Sequence, residues 1–188
     1  MSIRLLLADD HGVVRRGVRS LLSDYSEFLV VAETGNGRQA VELARQVQPD
    51  VVILDLMLPG LDGLQVVRTL RQAQPDTKVV VLSARTELEV VDQVMIAGAH
   101  GYVSKLRCTE DLINALHIVM KGKRFVSSGL GRQPPAIAQG WANPNSRAPH
   151  LTSRERQVMS MVAAGLGNKQ IAKKLGSVPT PCAIIASG

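Results

Sequence analysis

Several residue types are scarce in this 188-residue sequence, and each scarcity excludes a class of protein. Cysteine occurs only as Cys108 and Cys182, so we expect reduced thiols in a cytoplasmic protein rather than a disulfide-stapled secreted scaffold. Aromatic residues make up 3% of the chain, so the core has to be aliphatic. The first apolar run, Ile3–Ala8, is too short for a secretory signal. No run approaches the roughly 20 apolar residues of a membrane helix, so no membrane partner is expected.

Acidic residues are nearly missing from the last third of the chain. Residues 1–126 hold 15 Lys and Arg against 15 Asp and Glu, whereas residues 127–188 hold 7 basic residues against Glu155 alone. The whole net charge of +6 therefore lies in the tail. A basic tail favours contact with a polyanion such as DNA, although a merely solubilising surface would carry the same charge.

Short apolar runs alternate with segments of helical periodicity over the first 125 residues. The runs predicted to be strands are Ile3–Ala8, Phe28–Glu33, Val51–Leu54, Lys78–Leu82 and Gly101–Val103. The segments predicted to be helices are Val13–Leu22, Gly37–Val47, Leu64–Gln72, Glu87–Ala97 and Glu110–Lys121. Five such repeats predict an α/β fold, with a parallel sheet covered by helices on both faces.

Polar side chains follow four of these strands at the point where each strand ends. They are Asp9, Asp10, Asp55, Ser83 and Lys105. The carboxyl ends of parallel strands meet at one edge of the sheet, which is where such folds bind ligands. Crowded carboxylates repel one another, and an all-oxygen set of ligands suits Mg²⁺. The sequence therefore predicts a magnesium-assisted phosphoryl-transfer site with a carboxylate nucleophile at this edge.

The same motifs, in the same order, resemble the receiver domain of bacterial response regulators. They are Asp9-Asp10 after the first strand, Asp55 through Gly63, Leu82-Ser83-Ala84, and Gly101 through Lys105. The resemblance covers about residues 2–122 and implies a flavodoxin-like sheet of five parallel strands in the order 2-1-3-4-5. We assign the receiver domain to residues 1–126.

The resemblance also implies a role for each residue of the site. Asp55 is implied as the residue that accepts phosphate from a phosphohistidine on a sensor histidine kinase. Mg²⁺ is implied to bind Asp10, Asp55 and the backbone carbonyl of Met57, with Asp9 assisting through water.

Three further residues are implied to read the phosphorylated state. Ser83 and Lys105 would contact the phosphoryl oxygens, and Ser83 would move toward the phosphate. That movement would leave space for Tyr102 to turn inward. Such a protein is a switch and not an enzyme, and a phosphorylation-dependent homodimer is one form its output can take.

The tail has a resemblance of its own. Proline and glycine break the pattern over residues 127–149, which predicts a linker, and two helices are predicted at Thr152–Ala164 and Asn168–Leu175. Residues 150–188 resemble the start of a LuxR-type helix-turn-helix, and the whole layout resembles NarL/FixJ-type transcriptional regulators.

The tail departs from that family after Leu175. Pro179 and Pro181 obstruct a recognition helix, and no Lys or Arg follows Lys174. We therefore expect a truncated or frame-shifted DNA-binding domain, with no sequence-specific reading of bases. Weak, salt-sensitive attraction to DNA is expected from the basic residues Arg154, Arg156, Lys169, Lys173 and Lys174.

Two other interpretations stay open. The receiver could act alone, as a phosphate sink or as a protein-binding switch. An aspartate-nucleophile phosphatase also uses a carboxylate and Mg²⁺, but such enzymes usually place a second acid two residues after the nucleophile, where this chain has Met57.

Overall fold

We analysed a computed structural model of the chain that describes residues 2–128, 130, 161 and 170. The strands are β1 (Ile3–Ala8), β2 (Phe28–Thr34), β3 (Val51–Leu54), β4 (Lys78–Ser83), β5 (Gly101–Ser104) and β6 (Phe125–Val126). The helices are α1 (Gly12–Ser23), α2 (Gly37–Val47), α3 (Gly63–Ala73), α4 (Leu88–Ile96) and α5 (Cys108–Met120), with a 3-10 turn at Lys105–Arg107. The strands are parallel and lie in the order β2-β1-β3-β4-β5-β6.

The predicted flavodoxin-like order 2-1-3-4-5 is confirmed, but the predicted count of five strands is one too few. The additional strand, β6, follows α5 and pairs with β5, so that Phe125 lies beside Gly101 and Val126 beside Tyr102. Two residues are too short to show an alternation of apolar and polar side chains, which is why the sequence pattern did not reveal it.

Apolar side chains alternate between the two faces of the sheet, as the pleat of a strand requires. Leu5 and Leu7 of β1 pack with α1 and α5 in a first cluster. Leu6, between them, packs with α2, α3 and α4 in a second cluster. Because both faces are covered, the strands are fixed in register, and the residues just beyond their carboxyl ends are held in place.

Two glycines allow the loop after β3 to lie against the ends of two helices. A Cβ atom on Gly37 would stand 1.8 Å from the carbonyl oxygen of Leu61. A Cβ atom on Gly63 would stand 2.5 Å from the carbonyl oxygen of Asp55 and 2.5 Å from the Cα atom of Leu56. Backbone atoms cannot move aside as a flexible side chain can, so these two positions need glycine.

We expect Gly37→Ala and Gly63→Ala each to lower the free energy of unfolding by about 1–3 kcal/mol, because the added methyl group overpacks the loop. Gly17→Ala in α1 is the matched control, since a Cβ atom there would meet no atom within 4 Å beyond its own stretch of helix. That change should instead stabilise the helix by about 0.5–1 kcal/mol. Urea unfolding of the three variants measures the difference, and equal stabilities would contradict the expected crowding.

His100, just before β5, is held as a neutral imidazole. Its Nδ1 atom accepts a hydrogen bond from the backbone N–H of Val79 at 3.1 Å, and its backbone N–H donates to the Val79 carbonyl at 2.8 Å. Burial, with smaller effects from Arg71, Lys78 and Arg124, lowers the pKa of His100 from 6.5 to about 4. Protonation of Nδ1 would also remove the acceptor that Val79 uses.

Acid should therefore weaken the fold through His100. The unfolded chain binds this proton near pH 6.5 and the folded chain only near pH 4, so the free energy of unfolding should fall as the pH drops through that window. His100→Asn keeps a side-chain acceptor without a titratable ring. We expect the urea midpoint of the variant to change less than that of the parent chain between about pH 7 and pH 4.5. Parallel changes in the two midpoints would count against this assignment.

Most of the tail lies outside the described residues. Met161 and Gln170 are helical, and each falls within one of the two helices predicted there. Met161 is partly buried against the first cluster. Apart from Ser127, Ser128 and Leu130, the other residues of the expected linker and helix-turn-helix lie outside the described residues. They include the five basic residues predicted to attract DNA, and the domain boundaries remain predictions. Within the described residues no helix has both the length and the apolar character required to cross a membrane.

Candidate functional site

Three carboxylates and an imidazole meet at the carboxyl edge of the sheet. Asp9 and Asp10 follow β1, and Asp55 follows β3, the neighbour of β1. The backbone N–H of Asp55 donates to the carbonyl of Ala8 at 2.7 Å, which fixes the two strand ends side by side. One ligand atom from each of Asp9, Asp10, His11 and Asp55 lies within 4.8 Å of the others. The predicted acidic residues are thus brought together.

Lys105 reaches this cluster from beyond β5. Its Nζ atom lies 2.7 Å from Oδ2 of Asp9 and 2.6 Å from Oδ2 of Asp55. The lysine side chain is only 2% exposed, so the ammonium group has exchanged water for two carboxylates. A buried cation held in this way is correctly placed to neutralise further negative charge at Asp55.

Burial and neighbouring charges act in opposite directions on these groups. Burial alone raises the pKa of Asp9, but the His11 hydrogen bond and the Lys105 ammonium outweigh it, so this pKa lies below its ordinary value. Burial raises the pKa of Asp55, and the Asp9 charge adds to the rise despite Lys105. Burial lowers the pKa of Lys105, but the two carboxylates together raise it above its ordinary value. One lysine therefore lies between two carboxylates that are both buried, and it offsets only part of the effect of burial on Asp55.

His11 is a residue of this cluster that the sequence reasoning missed. Its Nδ1 atom lies 2.6 Å from Oδ1 of Asp10 and 3.3 Å from Oδ1 of Asp9, and its backbone N–H donates to Asp9. The hydrogen bond to Asp9 raises the pKa of His11 despite partial burial. Its position next to two aspartates, immediately before α1, was the signal that could have revealed it.

Ser83 and Tyr102 both contact the backbone of Arg85, in the loop after β4. Oγ of Ser83 accepts a hydrogen bond from the Arg85 N–H at 3.3 Å, and the Tyr102 hydroxyl donates to the Arg85 carbonyl at 2.9 Å. Ser83 is buried, and Tyr102 is fully buried in the second cluster, with its pKa raised to about 12 by burial. The two predicted switch residues therefore both hydrogen-bond to one residue of the loop after β4, and Tyr102 already occupies an inward position in this structure.

Met57 lies at the mouth of the site. Its N–H donates to Oδ1 of Asp55 at 3.3 Å, and its side chain is largely exposed. This hydrogen bond orients the Asp55 carboxylate, while the role of the Met57 carbonyl as a metal ligand stays a prediction.

The ligand set of the site fits a small hard cation. Carboxylate oxygens dominate it, and no cysteine thiolate is among the clustered ligands in the described residues. Oxygen ligands of this kind suit Mg²⁺, whereas soft metals favour sulfur. Burial raises the pKa of Asp55 and the neighbouring charge of Asp9 adds to the rise, and a bound cation would offset both effects.

Comparison with known proteins gives two family matches. Residues 5–117 match the response regulator receiver domain, and residues 149–178 match the bacterial regulatory proteins of the luxR family. The chain is 37% identical over 175 residues to the nitrate/nitrite response regulator protein NarL of Escherichia coli K12, which covers 91% of this chain and 80% of that protein.

Solved structures agree with the family matches. A LuxR-family two-component response regulator from Aurantimonas sp. SI85-9A1 is 32% identical, covers 69% of this chain and 93% of its own, and superposes with a TM-score of 0.66. A structure of two RcsB dimers bound to two parallel DNAs is 25% identical, covers 94% and 84%, and gives a TM-score of 0.65. The matches to both modules and to relatives over most of their length establish that this chain belongs to the two-component response regulators of the NarL/FixJ type, which join a receiver domain to a LuxR-type helix-turn-helix.

Proposed function

We propose that Asp55 accepts a phosphoryl group from the phosphohistidine of a sensor histidine kinase, in the presence of Mg²⁺, and that this event switches the output of the regulator. The observation that carries the proposal is the buried Lys105 ammonium, which lies between the carboxylates of Asp9 and Asp55 at 2.7 and 2.6 Å. The pKa of Asp55 is raised, mainly by burial and also by the charge of Asp9, whereas the pKa of Asp9 is lowered.

The chemistry requires one bond to form and one to break. An Oδ atom of Asp55 attacks the phosphorus of the phosphohistidine, a P–O bond forms, and the P–N bond breaks with its electron pair remaining on the imidazole nitrogen. The imidazole nitrogen takes up a proton from water as the bond breaks, so the products are an acyl phosphate on Asp55 and a neutral histidine on the kinase. Phosphoryl transfer depends mainly on positioning and on neutralising the oxygens, and Lys105 is placed to contribute to both.

The metal would be held by residues that already converge on the site. Asp10 and Asp55 would bind it with the backbone carbonyl of Met57, and Asp9 would assist through water. When bound, Mg²⁺ supplies positive charge to the phosphoryl oxygens and relieves the repulsion among the carboxylates. The Lys105 ammonium, which now pairs with Asp55, would then also contact the phosphoryl group.

The readout would begin at Ser83. A phosphoryl oxygen on Asp55 is an acceptor for the Ser83 hydroxyl, and movement of that hydroxyl would remove the acceptor of the Arg85 N–H. The Tyr102 hydroxyl is bonded to the carbonyl of the same residue, so the loop after β4 and the aromatic ring would respond together.

The output of this family is the LuxR-type module, and the relatives are transcriptional regulators. For this chain we propose weak, salt-sensitive DNA attraction through the tail, because Pro179 and Pro181 stand where the family has a recognition helix. A receiver that acts alone, as a phosphate sink or a protein-binding switch, is the alternative favoured by the same prolines. A phosphorylation-dependent homodimer would serve either output.

Phosphoryl labelling tests the proposed function. The full chain is incubated with acetyl phosphate and either Mg²⁺ or EDTA, and intact-protein mass spectrometry detects the added phosphoryl group. We expect one alkali-labile group per chain with Mg²⁺ and none with EDTA, because the crowded carboxylates need the cation. A chain that takes no label with Mg²⁺, or that hydrolyses a small phosphate ester with repeated turnover, would contradict the proposal.

DNA binding with and without beryllofluoride, which mimics the phosphoryl group, separates the two outputs. Binding that falls steeply with salt and does not distinguish operator from random DNA is the expected result. A footprint at a defined operator, strengthened by beryllofluoride, would show that the tail reads sequence after all.

A further inference from the structure

Ser127, just beyond β6, is a buried polar residue that the proposed site does not use. It is 1% exposed. Its backbone N–H donates to the carbonyl of Tyr102 at 2.9 Å, and its Oγ atom accepts a hydrogen bond from the backbone N–H of Ser104 at 3.1 Å. One residue thus holds two positions of β5, and Ser104 immediately precedes Lys105.

The hydroxyl of Ser127 replaces the backbone carbonyl that a longer β6 would offer to Ser104. β6 pairs with β5 only at Gly101 and Tyr102, because β6 ends at Val126. The N–H of Ser104 therefore has no backbone carbonyl of β6 in register with it. A buried N–H without an acceptor lowers the stability of the fold, and the Ser127 side-chain oxygen avoids this loss by accepting the Ser104 hydrogen bond.

Ser104 in turn fixes the position of the Lys105 backbone. Its Oγ atom accepts a hydrogen bond from the N–H of Leu106 at 3.3 Å, which closes the 3-10 turn at Lys105–Arg107. The backbone of Ser104 is thus held by Ser127 on one side and by this turn on the other. The ammonium of Lys105 has to reach two carboxylates at 2.6 and 2.7 Å, so a small displacement of Ser104 would disturb both contacts.

The segment that carries Ser127 is itself anchored. Phe125 is buried in the first cluster and Leu130 in the second, which also contains Tyr102. Ser127 lies between these two anchors, so its hydroxyl is held in place with little freedom.

We propose that Ser127 is a positioning residue for Lys105, and that it acts through the amide of Ser104. This inference rests on the proposed function, because it assigns Ser127 a part in the phosphorylation of Asp55. If Ser127 had a purely structural role, replacing it would lower only the stability of the fold. If it positions Lys105, replacing it would slow phosphoryl transfer only in a chain that keeps Lys105.

The test compares Ser127→Ala in the parent chain and in a Lys105→Met background. The rate of labelling by acetyl phosphate is measured at saturating Mg²⁺, where circular dichroism shows each variant to be folded. We expect Ser127→Ala to slow labelling by about 3–10-fold in the parent chain and to have no further effect once Lys105 is replaced. The Mg²⁺ concentration for half-maximal labelling should not rise, since the carboxylates are untouched and a displaced ammonium competes less with the cation.

Thr77→Ala is the matched control. Thr77 is buried and its Oγ1 atom donates to the carbonyl of Pro49 at 3.0 Å, so the variant loses a comparable hydrogen bond at the opposite end of the sheet. It should label at the parent rate. If Ser127→Ala fails to fold, Ser127→Cys keeps the volume with a weaker acceptor and is measured in the same way.

Three results are distinguishable. An unlabelled parent chain overturns the proposed function. A labelled parent chain with Ser127→Ala at the same rate, or with an equal loss in the Lys105→Met background, overturns the role of Ser127 alone. A loss confined to the chain that keeps Lys105 supports it.

Discussion

Asp55→Asn is expected to abolish labelling by a phosphodonor in the presence of Mg²⁺. The substitution replaces the carboxylate that we propose as the nucleophile by an amide, which does not form an acyl phosphate. Folding should survive, because the amide oxygen can still accept a hydrogen bond from the Lys105 ammonium, and Lys105 keeps its pair with Asp9 at 2.7 Å. The loss should therefore appear in intact-mass spectra while the thermal unfolding midpoint stays close to that of the parent chain.

Asp62→Asn is the matched control for this experiment. Asp62 lies in the same loop after β3, and its side chain caps α3 by accepting a hydrogen bond from the N–H of Gln65 at 3.0 Å. Asparagine caps helices as well as aspartate does, so this variant should label at the parent level. Label persisting on Asp55→Asn would place the acceptor elsewhere, and peptide mapping would then examine Asp9 and Asp10.

Lys105→Met is expected to destabilise the fold more than any of the other substitutions when no metal is present. It removes the ammonium from between two buried carboxylates and leaves both without their cation. Uncompensated buried charge of this kind costs about 3–5 kcal/mol. Urea unfolding in EDTA measures the loss, with Lys123→Met, an exposed lysine beyond α5, as the control that should change little.

Two additions should partly restore Lys105→Met. We propose that Mg²⁺ binds the folded cluster and not the unfolded chain, so it should stabilise the variant more than the parent chain, in which the ammonium competes for the same carboxylates. Acid should also help. Without the ammonium the folded carboxylates should have raised pKa values and bind protons more readily than the unfolded ones. The stability of the variant relative to the parent chain should therefore rise as the pH falls toward about 5, since the effect of His100 is common to both chains. A variant that is insensitive to both would show that the loss came from packing.

The sequence predicts the architecture of the receiver well because each element is long enough to show its own periodicity. The first strand and the second helix have the predicted limits, Ile3–Ala8 and Gly37–Val47. The convergence of Asp9, Asp55 and Lys105 follows from topology alone, since parallel strands deliver their carboxyl ends to one edge.

What the sequence does not predict depends on single contacts between distant segments. β6 has two residues and is recognisable as a strand only because it pairs with Gly101 and Tyr102. Ser127 stands among residues typical of a linker. Nothing in its local sequence indicates that its hydroxyl accepts a hydrogen bond from the backbone N–H of Ser104, 23 positions earlier. His11 looks like an ordinary residue before a helix until the fold brings Asp9 and Asp10 around it. Such contacts depend on tertiary structure and produce no periodic pattern of residues in the sequence.

The short strand β6 also has a consequence for self-association. An unpaired strand edge is a template on which another copy of the chain can add a strand, and such additions begin aggregation. Without β6, the strand that leads into Lys105 would be that edge. With it, the outermost strand on this side, within the described residues, is only Phe125–Val126, which is too short to guide a partner. Intermolecular strand addition is therefore disfavoured beside the lysine, and the seven-residue β2 at the opposite border of the sheet is where we would expect it to start.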